Sequence, residues 1–182
     1  MPRILKWSLI GVASIALLAF VGFQFMKAET KKASPEETVT FFLDDLTVEI
    51  TYSRPYRKER AIFGALVPHG KVWRTGANEA TTFTINKDIR FGDRPVKAGT
   101  YTLWTIPDEQ EWAVILNSGA YGWGVDFDGE AQRDPLADVA LVKVPASPVE
   151  PPVEQFTIAV EGVQPALTLT WDKVRVAVPI TH

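Results

Sequence analysis

Cysteine is absent from this chain, and histidine occurs only as His69 and His182. Without thiols there can be no disulfide, no thiolate nucleophile and no lipid on an N-terminal cysteine, so stability must come from a packed interior. Two distant imidazoles leave a Ser-His-Asp arrangement without an oriented base and a zinc site without its three or four clustered ligands. The residue inventory therefore predicts no catalytic residues, no metal and no cofactor. Acids do gather near a glycine in DFDGEAQRD, Asp126–Asp134, but their spacing departs from that of a calcium loop. A carboxylate pair, Glu79 with Glu59 or Asp126, would suit glycosidic cleavage only at a fixed separation, which a sequence does not supply. Basic excess is missing too. The formal net charge is −3, and beyond Lys27 there are 16 basic against 22 acidic side chains, a balance of −6. That leaves no electrostatic footprint for nucleic acid.

Charge itself is missing from Trp7 to Met26, a run of twenty residues. As a helix it would be about 30 Å long, the thickness of a bilayer's hydrocarbon core. A cleaved signal has a shorter apolar core, about 7–15 residues, and small residues at its cut site, whereas this run closes on Phe25, Met26 and Lys27. The expectation is a retained transmembrane helix, 7–26, behind a cytoplasmic tail, 1–6. Arg3 and Lys6 on one side nearly balance Lys27, Lys31 and Lys32 on the other, so charge does not choose the orientation. A tail that short is normally left inside, placing 28–182 outside the cytoplasm. At 100° per residue, Ser8, Gly11, Ala19 and Gly22 fall within an arc of about 80°, a small-residue stripe suited to another integral membrane subunit.

Polar, charged and interrupted by Pro35, the segment Ala28–Glu37 reads as part of a tether over 27–42. From 43 to 182, period-two alternation dominates. It is clear in Leu46–Arg54, Thr81–Ile85, Gly99–Pro107, Glu111–Asn117, Ala137–Pro145, Glu154–Val160, Ala166–Asp172 and Val174–Ile180. FGDRP and PDEQE read as turns and WDKV as a tight hairpin. Four prolines in Val144–Glu154 exclude an interior strand and suggest an extended crossing loop. No helical periodicity and no internal repeat appear in this part. Many short strands separated by turn signals predict an all-β domain, an antiparallel sandwich or a barrel-like fold.

Three strings, RKERAIFGALVPHGKVWRTGANEATTFTI, KAGTYTLWTIP and EWAVILN, with YGWG further on, closely resemble the bacterial domain of unknown function 2911 family. The resemblance spans about residues 44–180. It implies an exported, mostly β domain and no established activity. Where a tyrosine is expected in the VPYG-like turn, this chain has His69. With the helix, the resemblance points to a single-pass protein of the bacterial inner membrane, its β-domain on the periplasmic side.

The most distinctive residues of these strings are Trp73, Arg74, Gly76, Asn78 and Glu79. Gly76 and Asn78 tolerate positive φ and suit a corner between strands, which Trp73 would cover. A reversal between Arg74 and Glu79 would let them pair, and an arginine fork can also hold main-chain carbonyls. The competing reading makes the same residues a binding loop for a glycan or peptide, beside Tyr101, Trp104, Trp112, Tyr121 and Trp123. Trp104 and Tyr101 point to opposite faces of their strand, so one of them must fill a second layer or face solvent. The expected role is non-enzymatic: an accessory or structural subunit of a larger membrane assembly, a respiratory or photosynthetic complex being one conceivable host. A ligand-binding envelope module and a hydrolase are the alternatives.

Overall fold

The computed structural model describes residues 3–182. They form two compact units, a helix ending at Ala33 and a β-domain, Ser34–His182. The helix α1, Arg3–Ala33, is 31 residues long, and over Trp7–Ala33 it is long and apolar enough to cross a membrane. It therefore begins within the expected tail, whose first two residues lie outside the described ones. It also outruns the uncharged stretch, because Ala28, Glu29, Lys31, Lys32 and Ala33 are good helix formers and the late lysines complement the helix dipole. Lys32 meets Glu29 one turn back. Pro35 then stops the helix, since the residue before a proline avoids helical backbone.

The tether expected over 27–42 is thus not a separate segment. Helix fills its first part and a strand its second. The strands are β1 (Glu36–Leu43), β2 (Leu46–Ser53), β3 (Thr82–Ile85), β4 (Ile89–Phe91), β5 (Arg94–Val96), β6 (Gly99–Ile106), β7 (Glu111–Asn117), β8 (Asp138–Pro145), β9 (Ser147–Glu161) and β10 (Ala166–Thr181). They build two antiparallel sheets, ordered β1-β2-β3-β6-β7-β8 and β5-β4-β10-β9. The all-β sandwich expected from the alternation is present, without a closed barrel.

Two expectations are corrected. WDKV is not a hairpin: β10 runs straight through it, with register shifts on either side of Asp172, whose φ is 52°. A bulge absorbs the odd residue that looked like a turn. The proline-rich segment is not a crossing loop either; Ser147–Glu161 is one strand. It lies at the edge of its sheet, where a proline without an N–H removes no ladder bond.

Alternation explains the core. Val48, Ile50, Phe83, Leu103, Val114 and Leu116 of the larger sheet are fully buried, facing Phe156, Leu169, Trp171 and Val178 of the smaller. Thr102, Trp104 and Ile106 point the other way. Trp104 is nonetheless completely buried, in a separate cluster with Ala80 and Ile115 beneath Val72, Tyr121 and Ala131. The second layer that the Tyr101–Trp104 opposition requires is made by loops lying on the outer face of the six-stranded sheet.

Candidate functional site

Trp73 pairs with Thr105 of β6 through Trp73 N–H to Thr105 O, 2.7 Å, and the reverse bond, 3.0 Å. Thr82 pairs with Thr102 of the same strand, and Leu103 donates to Thr81 O at 2.8 Å. The line of β3 is therefore resumed by Trp73, and the residues between, Arg74–Ala80, are extruded from it. The motif is an excursion within one strand line rather than a corner between two.

Local chemistry shapes this excursion. Positive φ recurs at Thr75 (56°), Gly76 (151°) and Asn78 (57°), conformations that glycine and asparagine accept and a β-branched residue resists. Thr75 is held there by its hydrogen bonds. Its carbonyl accepts from Thr81 Oγ1 at 2.6 Å, and its own Oγ1 donates to Thr105 Oγ1 at 3.2 Å. All three threonines are completely buried. The Trp73 indole N–H closes the turn on Gly76 O at 2.9 Å. Asn78 Nδ2 donates to Ser34 O at 3.2 Å, pinning the segment that leads into β1.

Arg74 and Glu79 sit on the outer side of the excursion. The guanidinium donates to Trp123 O at 3.1 Å. Burial draws its pKa below the ordinary arginine value, and the nearby Glu79 charge opposes that pull. Ala80 N–H donates to Gly122 O at 3.1 Å, and Gly124 fits so closely that a Cβ there would stand 3.1 Å from Ala80 Cβ and 3.3 Å from Arg74 Cβ. YGWG and WRTGANEA, far apart in sequence, are thus packed against each other.

On its inner side Trp73 joins an aromatic cluster at one end of the sandwich. Its ring stacks on Trp171 at 6.0 Å and 18°, with Phe156 at 5.0 Å and Phe63 at 6.2 Å. Trp112, also buried, lies 4.7 Å from Phe63. The tryptophans proposed as ligand contacts are therefore mostly interior. Tyr121 is half-buried, its hydroxyl donating to Asn117 Oδ1 at 3.1 Å and accepting from Asp134 N–H at 2.9 Å.

Sequence reasoning passed over Arg54, at the end of β2. It donates from Nε to Phe156 O at 3.0 Å and from Nη2 to Thr157 Oγ1 at 2.9 Å, while Nη1 lies 2.6 Å from Glu37 Oε2. One side chain ties β1 to β9 of the other sheet. Beside it, the buried Tyr52 hydroxyl accepts from Ile158 N–H at 3.0 Å. The only cue in the sequence is an arginine directly after an alternating strand.

His69 is half-buried under Gly64, with Nδ1 4.0 Å from Glu109 Oε1. Among the described residues no three His, Cys, Asp or Glu side chains gather to hold a metal. A shallow groove of about 520 Å³ lies along β7 and β8, floored by Ile106, Ala113 and Leu141 and rimmed by Glu109, Glu111 and Lys143. None of the motif residues lines it. On the helix, Ser8, Gly11, Ala19 and Gly22 are all exposed, and Cβ atoms added to the two glycines would meet nothing within 4 Å.

The family model described as "Protein of unknown function (DUF2911)" matches residues 34–180. The chain belongs to the DUF2911 family. The match begins at the first residue of the β-domain, so the excursion, YGWG and the aromatic cluster all lie within the DUF2911 part and the helix lies outside it. No curated protein and no solved structure matches the chain.

Proposed function

We propose that this DUF2911 protein is a non-enzymatic accessory or structural subunit of a larger membrane assembly, carried by one spanning helix with its β-domain on the periplasmic side of the bacterial inner membrane. The observation that carries the reading is where the motif's polar groups point. Trp73, Arg74, Thr75 and Asn78 all bond main-chain or buried side-chain atoms of their own domain. Residues so used shape a surface rather than react with a substrate. The helix supports membrane attachment through its length and its uncovered apolar side chains, and the small-residue stripe suits a neighbouring helix. Native extraction of membranes in mild detergent, affinity capture of the full chain and mass spectrometry of the bound chains test this. Stoichiometric recovery of one or more integral membrane proteins is expected; capture of this chain with no other polypeptide overturns the reading.

A second reading, a periplasmic module for a glycan or peptide, draws support from the groove along β7 and β8. There Ile106, Ala113 and Leu141 lie among Glu109, Glu111 and Lys143, offering an extended ligand both apolar and charged contacts.

A further inference from the structure

Each sheet ends in two edge strands, and unpaired main-chain groups on an edge invite another strand unless something blocks them. Two of the four edges are blocked and a third carries a lysine. β5 is three residues long and contains Pro95. β9 carries Pro148, Pro151 and Pro152, and two N–H groups further along it are already taken, Phe156 by Pro55 O and Ile158 by the Tyr52 hydroxyl, each at 3.0 Å. β8 bears Lys143, a charge that disfavours a further strand alongside it, while its inner face packs on the other sheet, where a Cβ on Gly92 would come within 2.7 Å of Val142 Cγ1.

β1 is different. It is eight residues long with no proline and no lysine, and it pairs with β2 along its whole length, from Glu36↔Ser53 to Leu43↔Leu46. Although Val39, Phe41 and Leu43 face the core, they are only partly buried, and Phe42 on the outer face is 74% exposed. The two-residue connection Asp44–Asp45 makes Leu43 and Leu46 a hydrogen-bonded pair, and bonding alternates from there. Thr38, Thr40 and Phe42 therefore turn their N–H and C=O groups away from β2. Among the described residues no main-chain bond from another segment reaches these groups.

We propose that this edge is a homodimer interface: β1 pairs antiparallel with β1 of a second copy about a two-fold axis at Thr40, joining two six-stranded sheets into one of twelve. The strand is complementary to itself in this register. Thr40 meets Thr40, and Thr38 meets Phe42 in both directions, so the three outward-facing residues of each copy form hydrogen-bonded pairs. Val39 of one copy lies beside Phe41 of the other, covering the apolar side chains that the monomer leaves half exposed. From Thr38 to Leu43 the strand has no charge, and Glu37 is neutralised by Arg54 within its own domain, so no like charges face each other at the centre.

The absence of cysteine makes the test direct. Full-length protein in detergent micelles is expected to contain two 20.2 kDa chains per particle, after subtraction of bound detergent. A Thr40→Cys variant should form a disulfide-linked dimer under mild oxidation, since Cα atoms of a hydrogen-bonded antiparallel pair lie about 5.5 Å apart, within disulfide range. Thr84→Cys, in the middle of the same sheet, should not. Thr40→Pro removes an N–H that β2 does not use and should raise the dimer dissociation constant at least tenfold with an unchanged circular dichroism spectrum. If that variant misfolds, Thr40→Lys, which sets two like charges on the axis, should do the same. One chain per wild-type particle, cross-linking of Thr40→Cys no faster than that of Thr84→Cys, or a dimer untouched by folded Thr40→Pro or Thr40→Lys would each overturn the proposal. The accessory-subunit reading would survive any of these, because foreign chains decide it.

Discussion

Gly76 lies against the carbonyl of Ser53: a Cβ at position 76 would stand 2.9 Å from that oxygen. Backbone meets backbone there, so no flexible side chain can move aside. This contact locks the excursion onto the end of β2, and its φ of 151° strains any residue with a side chain.

Gly76→Ala should therefore destabilise the β-domain by about 2–3 kcal/mol, the combined scale of backbone strain and overpacking. Denaturant unfolding of the full-length protein followed by near-ultraviolet circular dichroism measures it. A loss below about 0.5 kcal/mol, the size of an ordinary surface change, would show that the loop is not locked by this contact.

Trp73 serves the excursion through its N–H and the core through its ring, and two substitutions separate the roles. Trp73→Phe keeps most of the packing but loses the bond to Gly76 O, at a cost of about 1 kcal/mol. Trp73→Ala empties the centre of the aromatic cluster and should cost about 3–5 kcal/mol. Equal losses in the two variants would mean that the ring contributes little.

Glu79→Gln removes the charge that opposes the burial penalty on Arg74. The site is partly solvated, so screening reduces the expected loss to about 1 kcal/mol, and it should shrink in high salt. A stability unchanged at low salt, together with loss of a glycan or peptide ligand, would instead favour the binding reading of this pair.

Burial raises the Tyr52 pKa above its ordinary value, and the Ile158 N–H bond to its oxygen only partly offsets this. The folded protein thus keeps the phenolic proton at pH values where the unfolded chain has lost it. This contribution to stability is complete below about pH 10 and disappears as pH rises through the raised folded value. Tyr52→Phe should flatten the alkaline fall in stability and diminish the late component of the tyrosinate absorbance titration, to which Tyr101, also raised by burial, still contributes. Amplitude lost from the early part of the titration, with the late component unchanged, would show that Tyr52 ionises normally.

The sandwich class, most of its strands and the long apolar helix were legible in the sequence, because each is written in local periodicity. Val48 and Ile50 alternate with polar neighbours whatever they pack against, and a run of twenty uncharged residues is read directly off the chain. β1 was missed because its start, Glu36–Glu37, resembles linker and its inward residues are only half covered. The bulge at Asp172 was misread because one residue with positive φ has the same composition whether the chain turns back or continues. Arg54 gave only the cue of its place after an alternating strand, since its partners Phe156 and Thr157 are about a hundred residues away.

By itself the sequence determined which side chains are apolar, where charge is missing and which residues tolerate unusual backbone. Those properties belong to single residues or to neighbours along the chain. Only the tertiary structure decided that YGWG packs on WRTGANEA, that Trp104 lies in a second buried layer, and that β1 ends a sheet. Each of these is a meeting of segments distant in the chain, fixed by packing and hydrogen bonding in three dimensions rather than by local order.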